Sequence, residues 1–291
     1  MAQILDGRVV RDEIEKKLKA EVEKLDPKPK LVIIQVGNNP ESNTYIGQKV
    51  KFGEKIGAIV DHQKFAEGVS RQELLSKISK LNSDSSVHGI IVQMPIPKSL
   101  NKDEIIEAID PQKDVDGQNS INLKRLMEND QSGFTPATTK GIFSLLNFYR
   151  IPVEGKYVAV IGRSTLVGKP TALAMLNHDA TVTVAHSKTR DLKKITKLAD
   201  VLIVATGKAK LITADHVSKN QVVVDVGINV VDDPTDEKPE TEPSGRKLIG
   251  DVDFEEVSKI VAAISPVPGG AGPMTVASLF ENLIAAYKKQ T

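Results

Sequence analysis

Apolar positions along the chain fall into two patterns that alternate. Short apolar runs at Leu31-Val-Ile-Ile-Gln-Val36, Gly89-Ile-Ile-Val-Gln93 and Val158-Ala-Val-Ile161 read as strands buried on both faces. Between them, charged segments carry apolar residues at helical spacing, as at Val9, Val10, Ile14, Leu18, Val22 and Leu25 over 8–25. Asp26-Pro27-Lys28-Pro29 stops that first helix. Gly37-Asn-Asn-Pro40 ends the first of these strands, and Ser42 is expected to cap a helix running to Ile56 and closed by Gly57. A strand over 58–63, a helix over 71–81 and a strand over 89–93 complete a β-α-β-α-β series, which implies a parallel sheet.

The alternation then repeats. Strands are expected over 157–161, 181–185, 201–205 and 222–226, with helices over 169–177 and 191–198, the pattern of a Rossmann-like doubly wound sheet. The polar stretch 128–139, with Gly133 and Pro136, is expected to cross between domains before a helix over 140–149. Residues 232–247 are expected as an exposed excursion, and 266–275 as too rich in glycine and proline for helix or strand. Val276, Leu279, Phe280, Leu283, Ile284 and Tyr287 beyond it form a helical stripe explained by core packing. The fold class expected is therefore α/β, with two α/β domains.

Composition narrows the function. The chain has 291 residues, 40% of them hydrophobic, with 39 lysines and arginines against 38 acids, so nothing in the charge favours nucleic acid. Zero cysteines exclude disulfides and thiolate chemistry and fit a reducing compartment. The five histidines are scattered without metal-ligand spacing, so no metal is expected. No leader-like or membrane-spanning run occurs, and a cytoplasmic protein is expected.

Candidate chemistry lies where strands end. Val158 to Ile161 runs into Gly162-Arg-Ser-Thr-Leu-Val-Gly-Lys-Pro170, a strand, a tight turn and a helix start of the kind that holds phosphate on unpaired N–H groups. The two glycines are six apart, so the G-x-G-x-x-G fingerprint is not matched, and by itself the turn is equally well a packing feature. Tyr45 and Lys49 share a helix face; Gln93-Met-Pro-Ile-Pro97 is a rigid strand end; Asp114 and Asp116 sit in a turn. Each of these alone is more simply surface, corner or cap. At the end of the second strand of the latter half, Ala185-His-Ser-Lys-Thr-Arg190 offers no acid for a ribose hydroxyl, whereas Arg163 and Ser187 could donate to a ribose phosphate, which favours NADP over NAD.

The ordered set of segments resembles the bifunctional methylenetetrahydrofolate dehydrogenase/cyclohydrolase family. They are Ser42-Asn-Thr-Tyr-Ile-Gly-Gln-Lys49, Val92-Gln-Met-Pro-Ile-Pro97, Lys113-Asp-Val-Asp-Gly117, the glycine turn, His186-Ser187, Asp225-Val-Gly-Ile-Asn229, Gly250-Asp-Val-Asp253 and Pro266-Val-Pro-Gly-Gly-Ala-Gly-Pro-Met-Thr275. The resemblance implies Lys49 as the catalytic lysine, Tyr45 beside it against the folate, Gln93 working with the lysine and Asp116 holding the pterin. It implies NADP contacts at Gly162, Arg163, Ser164, Ser187 and Ile228, and a loop near the reacting centre at Pro268, Gly269 and Gly270. It also implies a folate-binding catalytic domain of 1–138 plus 271–291, an NADP-binding domain of 139–270, an active-site cleft between them, and a homodimer paired through the cofactor domains. The reaction implied belongs to one-carbon metabolism and serves purine biosynthesis. Methylenetetrahydrofolate is oxidised with NADP, and the product is hydrolysed to formyltetrahydrofolate. A dehydrogenase with weak or no cyclohydrolase activity keeps the same motifs, and a non-catalytic NADP or folate sensor is the rival from another class. Two segments depart from the family: Pro136-Ala-Thr-Thr139 stands where many members have Pro-Cys-Thr-Pro, and Gln118-Asn119-Ser120 where many have Phe-His-Pro. The ligase domain fused to some relatives is not expected, as the sequence stops at Thr291.

Overall fold

The structure is a computed structural model, and it describes residues 2–232 and 246–291. In chain order its elements are β1 (Gln3–Ile4), α1 (Gly7–Val22), β2 (Lys30–Val36), α2 (Pro40–Ile56), β3 (Ile59–Phe65), α3 (Arg71–Ser83), β4 (Gly89–Val92), α4 (Lys102–Glu107), α5 (Ser120–Met127) and α6 (Ala137–Phe148). There follow β5 (Tyr157–Ile161), α7 (Gly168–Asn177), β6 (Thr181–Ala185), α8 (Leu192–Leu198), β7 (Val201–Val204), β8 (Val222–Asp225), β9 (Asn229–Asp232), β10 (Arg246–Ile249), α9 (Phe254–Val257), β11 (Ala263–Ile264) and α10 (Ala271–Gln290). The chain divides into two compact units, Arg11–Lys140 with Thr275–Thr291, and Met1–Val10 with Gly141–Met274.

The first unit is built on a parallel sheet in the order β3-β2-β4. Its central strand β2 is buried from Leu31 to Val36, because Leu74, Ile78 and Leu81 of α3 join the cluster around Val32 and Ile34. On α10, Phe280 packs its ring 5.2 Å from that of Phe52 on α2. Gly89 opens β4 without a side chain because α10 lies against it: a Cβ there would stand 2.8 Å from Leu283. Helix α2 is closed by Gly57 in the left-handed region, as expected. Its cap is Asn39 rather than Ser42. Pro40 takes the first turn, where its missing N–H is no loss, and the Ser42 N–H donates to Asn39 Oδ1 at 3.0 Å.

The second unit holds a six-stranded, wholly parallel sheet in the order β1-β11-β8-β7-β5-β6. From β5 the chain steps outward to β6, then returns to the other side of β5 as β7. That reversal is a topological switch point, and it places the Gly162 turn where ligands of such sheets bind. The α/β class expected is the class found. Residues 1–10 were expected with the folate-binding domain; here β1 pairs with β11, Gln3 opposite Ala263, so they lie with this sheet. The Gly-Pro segment expected to be irregular is helical from Ala271, since Pro273 sits in the first turn of α10. Of the expected excursion 232–247, residues 233–245 lie outside the described residues, and β9 and β10 flank them as an antiparallel pair.

Candidate active site

Four of the residues singled out in sequence lie in the first unit, on α2 and in the two loops that follow β4. Tyr45 and Lys49, one turn apart, are both half-buried. Lys49 Nζ donates to Gln93 Oε1 at 2.8 Å. Gln93 directly follows β4; its N–H donates to Ile34 O at 2.8 Å and its Nε2 to Met94 O at 2.9 Å, so its side-chain carbonyl is left facing the ammonium. Burial lowers the Lys49 pKa, and the charge of Asp116 opposes that shift. Burial raises the Asp116 pKa, and Lys49 opposes it. Each group is thus pushed toward its neutral form while attracting the charge of the other.

The Asp116 turn is fixed by its neighbours. Lys113 caps the end of α3, donating to Asp84 O at 2.7 Å and Leu81 O at 3.1 Å. Asp114 is buried, accepting from the Asn119 N–H at 2.8 Å and from Asn122 Nδ2 at 2.9 Å; burial pushes its pKa up to about 6. The two aspartates therefore divide the work, Asp114 building the turn and Asp116 standing beside the lysine. The residues that depart from the family have structural uses of their own. Gln118 Nε2 donates to Asp116 Oδ2 at 2.6 Å, and Asn119 caps α5 through the Ile121 N–H at 2.9 Å. Thr138, in the other departing segment, accepts from Thr275 Oγ1 at 3.3 Å.

The remaining candidates lie in the second unit. Gly162 has φ +125, and a Cβ there would stand 2.1 Å from Ala205 O; a Cβ at Gly168 would stand 2.3 Å from Gly162 O. Packing alone therefore requires both glycines. Ser164 Oγ accepts from the N–H groups of Val167 and Gly168, at 3.2 and 3.3 Å, so the start of α7 is partly satisfied by its own turn. Arg163 and Ser187 are exposed. At the end of β6 the His186 N–H donates to Thr189 Oγ1 at 2.8 Å and the Lys188 N–H to His186 Nδ1 at 3.1 Å. The turn carries no carboxylate, which fits a cofactor bearing a ribose phosphate.

Two buried aspartates, Asp225 and Asp251, organise the loops after β7 and β8. Asp225 accepts from the N–H groups of Gly227, Asp251 and Val252, at 2.9, 3.1 and 2.9 Å. Asp251 accepts from Thr206 Oγ1 and the Gly207 N–H, both at 2.9 Å, and from Asn229 Nδ2 at 2.9 Å. Between them Ile228 is left 41% exposed, an apolar surface of the kind a flat ring covers. Burial pushes Asp225 up to about 7. The signal for this role was the Asp-x-Gly and Gly-Asp pairing in sequence, where no Cβ fits beside either carboxylate. In the Pro268 loop, Gly269 has φ +112, and Gly269 O accepts from the Gly7 N–H at 2.8 Å.

Two family models match the chain: the tetrahydrofolate dehydrogenase/cyclohydrolase catalytic domain over residues 5–116, and the NAD(P)-binding domain of the same family over residues 136–291. The chain belongs to the tetrahydrofolate dehydrogenase/cyclohydrolase family. A relative from Acholeplasma laidlawii, bifunctional protein FolD, is 45% identical over 287 residues, 99% of each chain. The crystal structure of the bifunctional FolD from Campylobacter jejuni is 43% identical, with a TM-score of 0.93 over 100% of both chains. A FolD structure from Trypanosoma brucei, complexed with NADP cofactor and inhibitor, is 32% identical with a TM-score of 0.93, covering 99% of this chain and 98% of that one. As a member of this family the chain is an enzyme with dehydrogenase and cyclohydrolase activities.

Proposed function

We propose that Lys49, Gln93, Tyr45 and Asp116 carry the folate chemistry of this enzyme, with Gly162, Arg163, Ser164, Ser187 and Ile228 holding NADP and Pro268, Gly269 and Gly270 shaping the surface near the reacting carbon. The enzyme oxidises methylenetetrahydrofolate to the methenyl compound with NADP and hydrolyses that to formyltetrahydrofolate. The observation that carries the residue assignment is the Lys49–Gln93 hydrogen bond, made by a lysine whose pKa burial has lowered.

NADP supplies the hydride acceptor when bound. Oxidation of the methylene carbon needs no protein base, because the adjacent nitrogen lone pair stabilises the cation; the chain's part is to bind and orient. Hydrolysis does need proton transfer. A neutral Lys49 amine takes a proton from the water that adds to the methenyl carbon, and the resulting ammonium returns it to the ring nitrogen as the carbon–nitrogen bond breaks, while the hydroxyl proton left on the adduct is released to solvent as the formyl C=O forms. Gln93 Oε1 orients Lys49 through either form, since both carry N–H donors. Asp116 accepts from the donor edge of the pterin, and Tyr45 lies one turn from Lys49 to pack against it.

For assembly we propose a homodimer through the cofactor domain, supported by the free edge of β6, where Val184 is 40% exposed, and by the exposed Leu176 and Leu198 on the helices that pack on that strand. A cytoplasmic place, supported by the absence of cysteine, and a supply of one-carbon units to purine biosynthesis complete the proposal. Absorbance assays of methylenetetrahydrofolate oxidation with NADP and then NAD, and of methenyltetrahydrofolate decay, test the activities. Oxidation without hydrolysis would favour the dehydrogenase-only alternative, and NADP binding without turnover the sensor.

A further inference from the structure

Asn282 is 2% exposed on the inward face of α10, where its neighbours Leu279, Phe280 and Leu283 are apolar. Its side chain nevertheless makes three hydrogen bonds. Nδ2 donates to Val115 O and to Thr135 O, each at 3.0 Å, and Oδ1 accepts from Lys140 Nζ at 3.0 Å. Carbonyls only accept and an ammonium only donates, so one orientation of the amide satisfies all three partners.

Both carbonyls belong to the chain segments that grip Asp116. Val115 precedes it directly, and its side chain is fully buried. Thr135 lies two residues before Ala137, whose N–H donates to Asp116 O at 3.2 Å. Gly117, at φ +70, is pressed against the same segment, a Cβ there standing 2.7 Å from Phe134 O. Asp116 is thus held between two stretches of backbone, and Asn282 ties those stretches to each other and to α10. A buried asparagine bridging two carbonyls is expensive to retain where leucine would pack, since its polar atoms must all find partners.

We propose that Asn282 is a positioning residue for folate binding: through the Val115 and Thr135 carbonyls it fixes the placement of the Asp116 carboxylate, and Lys140 fixes the orientation of Asn282. The inference rests on Asp116 being the pterin anchor.

A double-mutant cycle read by titration calorimetry with tetrahydrofolate tests it, with NADP binding measured on the same preparations. Asn282→Leu is expected to weaken tetrahydrofolate about tenfold, the scale of losing one or two buried hydrogen bonds, while leaving NADP affinity unchanged. The variant carrying both Asn282→Leu and Asp116→Asn is expected to bind no more weakly than Asp116→Asn alone, because both changes remove the same contact. Losses that add, or an Asn282→Leu protein with wild-type affinity, overturn the proposal. An Asp116→Asn protein with wild-type affinity overturns the anchor assignment itself, an outcome distinguishable from the other two. Should Asn282→Leu fail to bind NADP, and so fail to fold, Asn282→Ser takes its place in the same cycle. Lys140→Met, which leaves both donated bonds in place, is expected to weaken tetrahydrofolate less than Asn282→Leu.

Discussion

The ammonium of Lys49 and the side-chain carbonyl of Gln93 lie 2.8 Å apart, joining the middle of α2 to the end of β4 across 44 residues of sequence. Gln93 is the first residue after β4 and is still tied to β2 through its N–H on Ile34 O, while the Asn39-capped helix sets the position of Lys49, so both partners are anchored on rigid elements. Such a lysine has one oriented partner and a weakened hold on its proton, the two properties a proton shuttle needs.

Replacing Lys49 by methionine keeps the aliphatic stem and removes the amine. Hydrolysis of methenyltetrahydrofolate is expected to fall by roughly the 10²–10⁴-fold that general acid–base catalysis contributes. Decay of methenyl absorbance under saturating substrate gives the number. Wild-type hydrolysis in the variant would remove Lys49 from the proton-transfer step.

Asp116 opposes the fall in the Lys49 pKa, so removing its charge should lower that pKa further. A base works when deprotonated; hydrolysis is therefore expected to rise with pH through a value below the ordinary 10.5 of lysine. In Asp116→Asn this rising limb should move to lower pH. The pH profile of kcat in the two proteins checks it, and a shift to higher pH would mean that Asp116 is not the charge acting on Lys49.

The sheets were legible from the sequence because parallel strands buried on both faces spell themselves as apolar runs, as in Leu31-Val-Ile-Ile and Val158-Ala-Val-Ile. Short or edge pieces were not. The strand at Gln3–Ile4 is two residues long and both are exposed, so no period marks it, and only its pairing with Ala263–Ile264 makes it a strand. Helices whose first turn contains proline begin before their apolar period shows: the cap is Asn39 rather than the expected Ser42, and α10 begins at Ala271 within the segment expected to be irregular. Of the candidate site, helical spacing put Tyr45 and Lys49 on one face, which alone reads as surface; their role came only from the family resemblance. The partnership of Lys49 with Gln93 was implied only by the family resemblance, because nothing local in either segment points to the other. The structural roles of Asp114, Asp225 and Asp251 depend on backbone N–H groups that only the folded turns bring together.

Asp225 offers a test by stability. Burial raises its pKa from 3.8 to about 7, so between those values the folded chain keeps a proton the unfolded chain has lost. That contribution is fully present below 3.8 and disappears as pH rises through about 7. The unfolding free energy of wild type minus that of Asp225→Asn is therefore expected to fall between pH 4 and 7, by roughly 1.4 kcal/mol per unit at most. Urea melts at a series of pH values supply the difference. A difference that rises with pH would mean that the three backbone N–H groups outweigh burial and hold the carboxylate charged.

On the proposed assignment, cofactor choice is set at the end of β6. The ribose phosphate of NADP carries close to two negative charges, and the proposed site, the turn His186 to Arg190, offers it hydroxyls, Lys188 and Arg190 and no acid. Ser187 is exposed, so a substituted side chain there needs no repacking. In Ser187→Asp the new carboxylate repels the phosphate but accepts from the two hydroxyls of an NAD ribose. The KM for NADP is expected to rise at least tenfold and that for NAD to fall, with the hydrolysis of methenyltetrahydrofolate, which uses neither, unchanged. Steady-state kinetics with each cofactor, and the hydrolysis assay on the same protein, separate these effects. If the Ser187→Asp protein retains the wild-type KM for NADP, the ribose phosphate binds away from this turn, and Arg163 alone among the basic candidates would be left to hold it.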